Sequence, residues 1–123
     1  MNYRIELEIQ GLPKITTNAN RNWKGRWAEA KRWLRIIETA IIVKRLKPVE
    51  PIKKAKVTLT RFAFGRRPDQ DNLVASFKHV LDGLVKAGVI IDDSYDIIGA
   101  PEIDWASAKP KQGRIKIIVE EVA

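Results

Sequence analysis

Four aspartates carry the chemistry of interest: Asp69 and Asp71 in "PDQDN", and the adjacent pair Asp92 and Asp93 in "DDS". Between them lies a segment of helical pattern containing Lys78, His79 and Asp82. Carboxylates gathered without enough basic partners repel one another, and a divalent cation relieves that repulsion. An oxygen-only donor set, in a chain with no cysteine and one histidine, points to a hard ion such as Mg²⁺ or Mn²⁺ rather than zinc. Such an ion polarises a phosphodiester and lowers the pKa of an attacking water. Each pair also has a bland explanation. Aspartate near a helix N-terminus caps free N–H groups, and aspartate after a glycine serves turns.

The charge distribution favours the metal reading. All seven aspartates lie between residues 69 and 104, although the chain carries a net charge of +8. Residues 1–64 hold +10, residues 65–104 hold −4 and residues 105–123 return to +2. A basic chain with a pI near 9.9 suits a polyanionic partner. An acidic island inside it opposes phosphate unless a cation sits on it. Arg21, Lys24 and Arg26, near the loop after the first strand, and Arg66 and Arg67, at the strand end beside the island, are the expected phosphate contacts.

Around these residues the hydrophobic periodicity sets the expected elements. Tyr3, Ile5, Leu7 and Ile9 alternate with polar residues as a half-buried strand does. A helix is expected from about Asn22 to Leu46, with Trp23, Trp27, Ala30, Leu34, Ile37 and Ile41 as its buried stripe and Pro48 and Pro51 behind it. Lys54 to Phe64 alternates as a strand. A second helix is expected from Asp71 to Ala87, with Gly88 at its C-terminal position. Ile97 to Trp105 and Arg114 to Val122 complete the pattern as strands. The expected fold is α/β (α+β) over residues 1–123: a single domain of order β-α-β-α-β-β, with a mixed sheet and two helices. No apolar run is long enough for a membrane span, there is no signal peptide pattern, and the absence of cysteine suits a cytoplasmic, intracellular setting.

The set "PDQDN", a helix lysine, "LDGLVKAG" and "DDS" resembles the RusA family of Holliday junction resolvases, especially its phage-encoded branch. The basic, tryptophan-bearing helix after an N-terminal strand extends the resemblance over most of the chain. The resemblance implies a Mg²⁺-dependent endodeoxyribonuclease, with Mn²⁺ as a substitute, that acts on branched four-way DNA as a homodimer. It implies Asp69, Asp71 and Asp93 as metal ligands and a lysine that assists catalysis. In the best-known form of the motif that lysine stands four residues after the second aspartate, where this chain has Ala75. Lys78, seven residues on, comes into register when "LVKAG" is used as the anchor. On an unbroken helix, steps of four and seven differ by about 60° in facing. Trp23, Trp27 and Trp33 are assigned mainly to packing, His79 to a structural or exposed role, and Asp96 and Asp104 to solvated strand ends. A non-catalytic, basic DNA-binding protein is the rival reading. A restriction-enzyme-like site is a weaker one, because Pro68–Asp69 is followed by no E-x-K or D-x-K triplet.

Overall fold

Alternation of apolar and polar residues produces four strands, which pair in the order β1-β4-β2-β3. A computed structural model of the chain describes residues 3–15 and 23–122. The strands are β1 (Arg4–Gln10), β2 (Ala55–Ala63), β3 (Glu102–Ser107) and β4 (Arg114–Glu121). The β1–β4 and β4–β2 pairings are antiparallel and β2–β3 is parallel, so the sheet is mixed. This is the α+β architecture and element order expected from the sequence.

The period-two pattern fixes the register. Leu7 faces Ile117, which in turn faces Leu59, and all three are buried on one face of the sheet. That face is covered by α1 (Trp23–Val43) and α3 (Lys78–Lys86). The opposite face carries Arg4, Glu6, Lys56, Glu102, Arg114 and Lys116, tied across strands by ion pairs such as Lys116–Glu6 and Arg114–Glu8. Its charges are nearly balanced, so the basic surplus belongs to the rest of the molecule.

On α1 the buried apolar residues are Trp33, Ile37 and Ile41, with Ala30 and Leu34 half-buried beside them. Trp27, expected in the same stripe, is 57% exposed. It stands six residues before Trp33, which turns it about 120° away from that residue around the helix. The helix closes at Arg45, which has a φ of 55°, and Leu46 N–H donates to the Ile41 carbonyl. Gly83 lets α3 approach α1: a Cβ there would meet the Ile37 side chain at 2.8 Å.

Two elements depart from expectation. The helix expected over Asp71 to Ala87 is two helices, α2 (Gln70–Ser76) and α3, broken at Phe77. Buried Ser76 turns its hydroxyl back onto the Leu73 carbonyl at 2.7 Å, a local bond that competes with the helical ladder. Phe77 (φ −93°, ψ 1°) ends α2 and starts α3 while its ring fills the core. The strand expected from Ile97 begins instead at Glu102. Residues Tyr95–Ile98 form a single helical turn, α4, in which Ile97 and Ile98 N–H donate to the Ser94 carbonyl. Asp96 therefore lies in α4, and Asp104 lies exposed within β3.

Two buried charges fix the stretch after β1. Arg61 interrupts the apolar face of β2, and its Nη1 donates to the Pro13 carbonyl at 2.6 Å. Burial holds the Arg61 pKa below its ordinary value. Glu29 Oε1 accepts from Trp33 Nε1 at 2.9 Å and from the Lys14 amide at 3.3 Å. Among the described residues, no helix is long and apolar enough to cross a membrane.

Candidate functional site

The chain leaves β2 at Ala63, bends through Phe64 and Gly65, and enters α2 at Asp69. Asp69 occupies the N-cap position, and its carbonyl accepts from the Leu73 N–H. Its carboxylate makes no capping hydrogen bond. The bland explanation for Asp69 thus accounts for its position and not for its side chain. Asp71 lies exposed in the first turn of α2, where its charge suits the helix dipole. Half-buried Asn72 follows it in the same turn.

Lys78 is the first residue of α3, and this follows from the break at Phe77. Its Nζ donates to Asp93 Oδ2 at 3.1 Å and to Asp82 Oδ1, one turn along α3, also at 3.1 Å. The hydrogen bond to Asp82, then that to Asp93, raises the Lys78 pKa above its ordinary value. Lys78 is therefore held as an ammonium at neutral pH. Asp93 is half-buried in the segment between α3 and α4, and Asp92 beside it is exposed. Lys78 and Asp93, fifteen residues apart in sequence, are thus direct neighbours. Asp82, given no role by the sequence motif, is thereby part of the same cluster. Its i,i+4 spacing from Lys78 was the available signal.

Asp69, Asp71 and Asp93 are the right kind of donor for a hard cation. Among the described residues, however, no group of three or more carboxylate or imidazole side chains is disposed to hold a metal ion. Asp93 faces Lys78 instead.

The expected phosphate contacts divide by location. Arg66 and Arg67 are exposed on the segment leading into α2, and Arg67 donates to the Gln70 side chain. Lys24 and Arg26 are exposed on the first turn of α1. Arg21 lies outside the described residues. Exposed Trp27 carries Lys31 Nζ 4.2 Å from its ring centroid, which places an indole and a cation together at the surface. Half-buried His79 leaves Nδ1 buried without a hydrogen-bond partner.

No protein-family model matches the chain, and no curated protein matches it.

Proposed function

We propose that this chain is a Mg²⁺-dependent endodeoxyribonuclease of the RusA type that resolves four-way DNA junctions by paired nicks. The observation that carries the reading is the 3.1 Å contact between Lys78 and Asp93. Two residues singled out for different parts of one chemistry stand together, although the chain between them includes a helix and a turn. The uncapped carboxylate of Asp69 supports the reading, because capping leaves it without a task.

Asp69, Asp71 and Asp93, which do not converge in this structure, would have to draw together to hold the cation, which would supply Lewis-acid polarisation of the scissile phosphodiester. Lys78 places a fixed ammonium beside Asp93, where it would stabilise charge developing on the phosphate or the leaving oxygen. Asp82 orients that ammonium from the far side. Arg66 and Arg67 precede Asp69 by three and two residues, which lets them grip phosphates flanking the scissile one. Lys24 and Arg26, exposed on the first turn of α1, extend the basic surface available to the duplex arms. Two symmetric nicks need two sites, which a two-fold homodimer presents.

The deciding experiment incubates a synthetic four-way junction and a matched linear duplex with the protein, with and without Mg²⁺. Paired nicks confined to the junction and to the Mg²⁺ arm are expected. Junction binding without cleavage in any metal would leave a non-catalytic DNA-binding protein.

A further inference from the structure

The α1 helix has a second apolar face that the fold uses only in part, since Ile36 and Ala40 brush the core from its edge while Thr39 and Val43 are exposed. Ile36, Thr39, Ala40 and Val43 lie at i, i+3, i+4 and i+7, the four positions that frame a hole for one side chain of a facing helix. The small Ala40 forms the floor. The result is an open hollow of about 440 Å³ bounded by these four residues with Arg35 and Lys44 at its edges. Val43 is 72% exposed at one end of the hollow. The face lies to the side of the Trp33–Ile37–Ile41 stripe that meets the core.

The shape selects a helix, and the rim selects its charge. Arg35 and Lys44 are both exposed, and they stand on opposite sides of the apolar strip. A two-fold pairing of this chain through the hollow would use the same patch twice, and so would bring basic rim against basic rim. A polyanion such as DNA would pair with the rim but leave the apolar floor in water. An amphipathic helix with aliphatic residues along one face and carboxylates on both flanks satisfies floor and rim together. We propose that this lateral face of α1 is a docking site for an acidic amphipathic helix of a partner protein.

The test uses two synthetic helical peptides of about 18 residues, five turns. Both carry leucines along one stripe, one with glutamates on the flanks and one with lysines. Fluorescence anisotropy should give the Glu-flanked peptide a Kd on the order of 10 μM and the Lys-flanked one at least tenfold weaker binding. Ala40→Arg fills the hollow and should weaken the acidic peptide at least tenfold. The double exchange Arg35→Glu with Lys44→Glu touches only exposed side chains and should invert the preference between the peptides. Equal binding of both peptides, or of neither, would overturn the proposal. So would a lowered sedimentation mass in Ala40→Arg, which would give the face to a second copy. Loss of duplex DNA binding in the charge exchange without any peptide binding would give it to nucleic acid.

Discussion

The Nζ of Lys78 lies 3.1 Å from Asp93 Oδ2 and 3.1 Å from Asp82 Oδ1, so one ammonium bridges the helix that carries it to the segment before α4. The two contacts do different work. Asp82 belongs to the same helix and holds the lysine in place whatever else binds. Asp93 belongs to the acidic group proposed to take the cation. Lys78→Ala should therefore slow cleavage by about 10²–10³, the cost of losing one preorganised charge donor, with little change in junction affinity. Asp82→Ala should lower kcat by less, up to about a hundredfold, and leave KM near wild type. Equal, small effects of Lys78→Ala on rate and on affinity would return it to an ordinary surface lysine.

Asp69 gives the sharpest test of the metal assignment. Its carboxylate makes no capping bond, so Asp69→Asn should leave α2 and thermal stability near wild type. Loss of a direct metal ligand should cost more than the roughly 10–100-fold of an outer-shell partner. Nicking in Mg²⁺ should fall below detection while junction binding holds or strengthens, because a charge repelling phosphate is gone. Cleavage at the wild-type rate would remove Asp69 from the site.

The raised pKa of Lys78 has a consequence for stability. A cation whose folded pKa lies above its unfolded value stabilises the fold below the unfolded value, here the ordinary 10.5, and loses that contribution as pH rises through the folded one. Lys78→Met should thus be slightly less stable than wild type at neutral pH, by at most about 1 kcal/mol for pairs this exposed. The gap should close above pH 10.5 and stay constant between pH 7 and 9. Chemical denaturation of both proteins across that range measures it. A gap that widens with pH would contradict the ammonium assignment.

Arg66 and Arg67 are exposed immediately before the site. Each phosphate contact contributes about 0.9 to the slope of log affinity against log salt. Replacing both by glutamine should flatten the slope for a four-way junction by about 1.8, the sum of two contacts. Fluorescence anisotropy between 50 and 200 mM salt resolves such a change, since affinities there shift by orders of magnitude. An unchanged slope would place the DNA on another face.

The strands were legible because the period of two leaves no other solution for residues such as Ile115, Ile117 and Val119, which are fully buried. The break at Phe77 was not. It depends on Ser76 choosing the Leu73 carbonyl over solvent, a local competition that apolar spacing does not register. That break matters for the site, because the facing of Lys78 had to be reckoned along an unbroken helix, and the structure sets it from the start of a new one. Lys78 and Asp93 could each be named from type and spacing, yet their contact depends on how α3 and the following turn pack. Trp27 misled for a related reason: a run of tryptophans at near-helical spacing reads as one stripe, and only the partner surface decides which indole it buries.

Assembly is the remaining prediction. Resolving a four-way junction into two duplexes requires nicks in two strands related by the junction's two-fold axis. One site on a chain of 14.0 kDa cannot reach both, whereas a homodimer presents two identical sites in matching geometry. Two apolar stripes bear on where such a contact can lie: Ile115–Ile117–Val119 lies inside the core, and Ile36–Ala40–Val43 is rimmed by Arg35 and Lys44. The dimer should therefore form through a different surface and be insensitive to Ala40→Arg. Sedimentation in moderate salt, without DNA or Mg²⁺, should give about twice 14.0 kDa for wild type and for Ala40→Arg alike. A wild-type monomer at micromolar concentration would leave pairing to the junction itself. Cleavage would then show a second-order dependence on protein concentration, which a preformed dimer would not.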